Sequence, residues 1–195
     1  VRKGRQTRTE VLHQALNMST ELGLEGLSIG ALAKRVGMSK SGLYAHFESK
    51  EQLQCAVLDA AAASFVDRVV SPALKAPRGR PRVEALFERW LVWETAVLDG
   101  GCPFVAAATE LDDRPGPVRD VLLGHTRDLT DAIERAARIS VQEGHFRAEL
   151  DVEHFAYTFW SNLLGYHHRA RLLQSERAER LARDTFALLL AHASA

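Results

Sequence analysis

The chain has 195 residues, 46% hydrophobic and 26% charged, with 25 basic and 25 acidic side chains. That is ordinary for a soluble globular protein and long enough for one or two domains with a substantial core. No apolar run reaches the length of a membrane span, and no hydrophobic signal core follows Val1-Arg2-Lys3-Gly4-Arg5, so a cytoplasmic protein with no membrane partner is expected.

Zero net charge argues at first against a nucleic-acid partner, but the distribution is uneven. Residues 1–50 carry eight cations and four anions, a balance of +4, which leaves −4 on the remainder. A basic head on an acidic body orients toward phosphate. Cys55 and Cys102 have no neighbours of the kind a metal site or redox pair uses, so free thiols are expected and no metal.

Residues 1–6 read as a short basic arm, disordered when free, that either is solvated or adds phosphate contacts. A first helix is expected from Arg8 to Leu22, with Thr7 and Glu10 as a capping box and Gly23 as its end. Leu24 and Leu27 fold under the turn that follows. In the second helix Ile29, Leu32, Ala33 and Val36 fall at i, i+3, i+4 and i+7, one apolar stripe; Ser28 is its N-cap and Gly37 its left-handed C-cap. Ser39 caps a third helix with Leu43 and Phe47 inward and Lys40, Ser41, Gly42 and Tyr44 outward. One helix that braces and a second that offers its N-terminal residues to the major groove make a helix-turn-helix.

The run Gly37-Met38-Ser39-Lys40-Ser41-Gly42-Leu43-Tyr44-Ala45-His46-Phe47-Glu48-Ser49-Lys50-Glu51-Gln52-Leu53 resembles, without gaps, the DNA-binding domain of the tetracycline-repressor-like (TetR) family of bacterial transcription regulators. With the helix before it, the resemblance covers about the first quarter of the chain; the rest is similar in length and helical pattern alone. It implies that residues aligning with Tyr44, His46 and Lys50 hold the DNA backbone and those near Ser39 to Leu43 read sequence. It also implies a ligand-binding body and a dimer.

Ser49 to Gln52 is a second capping box and opens a fourth helix that continues to about Val70, closed by Pro72. This helix is expected to be the only continuous rigid link between head and body. Pro72 to Pro81 is the clearest loop. Further helices are expected from Val83 to Leu98, from Pro103 to Leu111, and from Pro117 to Glu143. Asp151 caps the next, which runs past His167, and the last extends from beyond Ser175 to the C-terminus. No strand alternation persists. The expected fold is all-α, with about nine helices: a helix-turn-helix DNA-binding domain over residues 1–50 and a helical ligand-binding and dimerisation domain over 51–195.

Chemistry assigns candidate roles. Lys40 and Ser41 reach base edges, Gly42 permits close approach, and Tyr44, His46 and Lys50 suit phosphate, with Ser28 and Ser39 at helix N-termini. Candidates to line a ligand cavity are Trp90, Trp93, Phe104, Thr109, His125, Phe159 and Asn162, against the plainer reading that aromatics at helical spacing fill core. A last helix apolar on two sides suggests a dimer through Trp160, Leu164, His167, Phe186, Leu190 and Ala193. Glu10-x-x-His13 occurs once where a di-metal bundle needs two copies, adjacent His167 and His168 diverge on a helix, and no phosphate loop or nucleophile motif is present. The expected function is therefore not enzymatic and needs no cofactor. It is a ligand-responsive regulator of transcription that binds double-stranded DNA as a homodimer, a repressor released by a small apolar or aromatic effector. The alternatives are an architectural DNA-bridging protein and, behind it, a helical-bundle enzyme.

Overall fold

The structure is a computed structural model; it describes residues 2–97 and 100–195, and the side chains of these except residues 2–7. The described residues form α1 (Arg2–Leu22), α2 (Ile29–Val36), α3 (Lys40–Tyr44), α4 (Lys50–Phe65), α5 (Ser71–Ala73), α6 (Arg80–Val92), α7 (Pro103–Leu111), α8 (Pro117–Gln142), α9 (Val152–His167) and α10 (Ala178–Ala193). Single π-helical turns, Val66–Val70, Trp93–Val97 and His168–Leu172, continue α4, α6 and α9. Helical geometry is unbroken from Lys50 to Ala73, and counting that run as one helix gives the nine expected. Among the described residues the only extended pairing is one antiparallel bridge, Phe146 with Ser194.

Three boundaries differ from expectation. The chain is already helical at Arg2, so Thr7 and Glu10 lie inside α1 rather than forming a capping box, and no free arm exists over residues 2–6. Arg, Lys and Gln are good helix formers, and a single Gly4 does not stop them. The expectation for Val1 lies outside the described residues. Pro72 does not close its helix but sits in α5 directly after a π turn, and Pro81 lies in the first turn of α6. Proline is tolerated in the first turn of α6 because its missing N–H has no partner there anyway, and Pro72 stands one residue before the end of the run that began at Lys50. The loop shrinks accordingly to residues 74–79. The part of the fifth expected helix that falls on Leu98 also lies outside the described residues.

Packing divides the chain into two compact units, Val1–Phe65 with Ala96–His125, and Val66–Thr95 with Thr126–Ala195. In the first, α1 packs on α2, α4 and α7, α2 packs on α3, and α7 also meets α4. Leu16, Leu27, Leu32, Leu43, Phe47 and Leu53 fill its centre, none more than 4% exposed; each such burial is worth about 1.5–3 kcal/mol. In the second, α10 packs on α9 and α6 on the π turn after α4. Its core is aromatic: Phe87 stacks on Phe186 at 4.0 Å, and Phe159 meets both rings edge-on. This grouping differs from a functional division at residue 50. The chain passes between units at 65/66, 95/96 and 125/126, each time in helical geometry. Between these two units both the run from Lys50 and α8 are helical links.

Candidate nucleic-acid interface

The interface is built from two short helices that could not hold themselves. At α2, the Ser28 hydroxyl accepts from the Ala31 N–H at 3.2 Å, and Gly37 closes the other end at φ 67° while the Met38 N–H donates to the Ala33 carbonyl at 3.0 Å. At α3, the Ser39 hydroxyl accepts from the Gly42 N–H at 3.0 Å and lies 3.1 Å from the Ser41 hydroxyl. Eight and five residues are too few for an isolated helix in water, so caps and packing hold both. Leu43 and Phe47 anchor α3 and its exit from beneath. The Arg8 guanidinium lies 5.1 Å over the Phe47 ring and covers it from α1.

That anchoring leaves Lys40, Ser41 and Tyr44 exposed and Gly42 and His46 half-buried; Tyr44 is 51% accessible despite its aromatic ring. A Cβ on Gly30 would stand 3.1 Å from Lys40 Cε, so the glycine gives the lysine stem room across α2. Lys40 has no ion-pair partner among the described residues. Lys50 is different. Its ammonium donates to the Glu25 carbonyl at 2.7 Å and faces the Glu25 carboxylate at 3.5 Å, which Arg114 also approaches at 3.7 Å. The hydrogen bond from Gln54 first, and the charges of Lys50 and Arg114 after it, hold the Glu25 carboxyl below its ordinary range against the opposing effect of burial. Lys50 is thus engaged by Glu25, although its side chain stays 43% accessible.

Sequence reading missed Glu110, at the end of α7. Its carboxylate accepts from the Leu24 N–H at 3.1 Å and the Glu25 N–H at 2.7 Å, two amides of the turn that leads into α2. Gly23, at φ 79°, leaves room for it: a Cβ there would lie 2.4 Å from Glu110 Oε1. The partners are some 85 residues apart in sequence, and nothing local to either marks the pairing. The Gly100 N–H likewise donates to the Thr20 hydroxyl of α1 at 3.2 Å.

The seven side chains expected around a ligand fall in both units. Phe104, Thr109 and His125 belong to the first. Phe104 is buried edge-on to His125 at 6.0 Å, His125 bonds Asp59 at 2.9 Å, and Thr109 is exposed and back-bonded to the Ala106 carbonyl. Trp90, Trp93, Phe159 and Asn162 belong to the second. The first three are no more than 3% exposed, Trp90 meets Tyr166 at 6.0 Å, and Asn162 donates to the Ala182 carbonyl at 2.8 Å. Glu94, only 1% exposed, bonds His167. A cavity that the sequence did not suggest lies in the second unit, bounded by α5, the start of α6 and the middle of α8.

Of the six side chains expected at a dimer face, Phe186, Leu190 and Ala193 are buried within the chain's own unit, at 6%, 6% and 0% exposure. Phe186 is stacked on Phe87 and is not a surface residue, because α10 turns that side toward α6 and α9. Leu164 is exposed, and Trp160 and His167 are half-buried. The free apolar groups nearby are Tyr157, Leu164, Leu172, Leu173 and Leu188, the last 72% accessible.

Residues 11–57 match the family profile described as bacterial regulatory proteins, tetR family, and residues 79–186 match that described as tetracyclin repressor-like, C-terminal domain. Among solved structures, a TetR transcriptional regulator from Chloroflexus aurantiacus J-10-FL is similar at 26% identity and TM-score 0.87, over 98% of this chain and 96% of that one. Reduced NemR of E. coli superposes with TM-score 0.79 at 21% identity, covering 92% of this chain and 95% of its own. AibR, solved with isovaleryl coenzyme A and operator DNA, superposes with TM-score 0.76 at 22% identity, over 94% and 98%. No curated protein sequence matches.

Proposed function

The chain belongs to the TetR family of bacterial regulatory proteins, and we propose that it is a dimeric, cytoplasmic repressor that a small apolar or aromatic effector releases from a two-fold operator. The observation that carries this reading is the pair of capped helices, α2 and α3, which bury Leu43 and Phe47 and leave Lys40, Ser41 and Tyr44 free. In this reading Lys40 and Ser41 face base edges across Gly42. Tyr44, His46 and Lys50 hold phosphates, aided by Ser28 and Ser39 at their helix starts. Binding phosphate would draw Lys50 from Glu25.

One helix-turn-helix reads few base pairs, so specificity wants two copies with half-sites spaced by roughly 34 Å or a multiple. The exposed Tyr157, Leu164 and Leu188 supply apolar surface for a second copy. An effector that favours one arrangement of the second unit would bias the helices crossing between units, with a coupling of about 1–3 kcal/mol. By reciprocity, DNA weakens the effector equally. That AibR is solved with both isovaleryl coenzyme A and operator DNA supports a ligand site and a DNA site on this fold.

A mobility-shift assay on DNA flanking the protein's own coding region, with and without small aromatic compounds, tests the reading. A shift that a compound reverses supports it. A shift of any duplex regardless of compound points to a bridging protein, and turnover without a shift points to an enzyme.

A further inference from the structure

The cavity in the second unit has a volume of about 160 Å³. Small side chains make room on two of its walls, Ala73 on α5 and Ala132 with Ala136 one turn apart on α8, while Val70, Leu74, Leu86 and Ile139 supply apolar lining. An apolar space of about 150 Å³ holds a single benzene ring. Drug-sized and cofactor-sized ligands fill about 300 Å³ or more, so the space itself matches one ring or a chain of about six carbons.

Charge at the cavity is one-sided. Nearby, Arg78 pairs with Glu143 at 2.9 Å, Arg80 with Glu84 at 2.8 Å and Arg138 with Glu134 at 3.6 Å. The two arginines that line the cavity, Arg82 and Arg135, have no carboxylate partner among the described residues. Arg82 donates through Nε to the Ala76 carbonyl at 3.0 Å, which leaves its terminal nitrogens available, and Arg135 is exposed. Guanidinium groups bind carboxylates in planar, charge-assisted pairs.

We propose that this cavity binds a small organic monocarboxylate, its apolar body between α5, α6 and α8 and its carboxylate on Arg82 and Arg135. The inference rests on the reading of the chain as a ligand-responsive regulator and makes this cavity its effector site.

Calorimetric titration of the full chain with benzoate, hexanoate, toluene and benzylamine tests it. Benzoate and hexanoate are expected to bind saturably, toluene more weakly and benzylamine not at all. Arg135→Gln should weaken benzoate by about tenfold and leave toluene unchanged, because it removes the charge-assisted contact alone. Ala136→Leu should abolish binding of both; if that variant does not fold by circular dichroism, Ala132→Val is the substitute. No saturable benzoate binding up to about 10 mM, a free energy weaker than about 3 kcal/mol, overturns the inference, as does an unchanged Kd in the filled variant. These titrations contain no DNA, so their failure leaves the DNA-binding reading standing. A chain that binds benzoate but shifts no duplex would sink that reading instead.

Discussion

Gly37 sits at φ 67° with nothing within 4 Å of where a Cβ would stand, so its requirement is conformational and not steric. Gly37→Ala is expected to lower stability by about 1 kcal/mol, the cost of a left-handed L residue, as read in a urea melt. Glu25 carries a pH signature. Its folded carboxyl titrates below the ordinary 4.5, so its contribution is complete above that value and is lost as pH falls through the folded one. The stability gap between wild type and Glu25→Gln should therefore close on acidification toward pH 3; a gap that widens instead would refute the pairing with Gln54 and Lys50. On DNA, Tyr44→Ala is expected to weaken all duplexes alike. Lys40→Ala should alter sequence preference, since one residue is assigned to phosphate and the other to bases. Unchanged affinity of Tyr44→Ala for non-specific duplex would remove that assignment.

Within the helix-turn-helix, α3 has less local support than α2: five residues, one side-chain cap and two buried anchors. Ser39→Ala is expected to cost about 1 kcal/mol by loss of the cap, with a larger loss of DNA affinity because the helix that frays is the one assigned to the groove. The turn between α1 and α2 depends on an element far away in sequence. Glu110→Ala leaves the Leu24 and Glu25 N–H groups without their acceptor. A cost of about 1–3 kcal/mol follows, the lower end if water reaches the amides. Hydrogen exchange at those two amides should rise while α10 amides stay protected; equal exchange in both forms would mean the carboxylate is not their acceptor in solution.

For the whole molecule, exposure decides which substitutions probe assembly and which probe folding. Phe186 is stacked in the core, so Phe186→Ala should cost about 3–5 kcal/mol in stability and reports nothing about a partner. Leu188 is 72% accessible. Leu188→Glu is expected to leave the melting temperature of the fold nearly unchanged and to yield monomers by light scattering. An intact dimer would place the interface elsewhere. The uneven charge, +4 over the first 50 residues, predicts steep salt dependence, with a log–log slope of about −0.9 per phosphate neutralised. A flat response would remove the electrostatic account.

The sequence by itself determined what lies within a few residues of its cause. Ser28, Gly37, Ser39 and Ser49 cap what their positions say they cap, the period of Ile29, Leu32 and Ala33 sets the buried side of α2, and Leu43 and Phe47 point inward. A cap or an apolar stripe is a local energy, and local energies are written in local spacing. Only the tertiary structure decided that α7 braces the head through Glu110, that Phe186 belongs to the chain's own core, and that three helical segments leave an arginine-flanked cavity. Each of those depends on which faces meet across many residues, and a helix with apolar residues on two sides carries no mark of which side its own core will take.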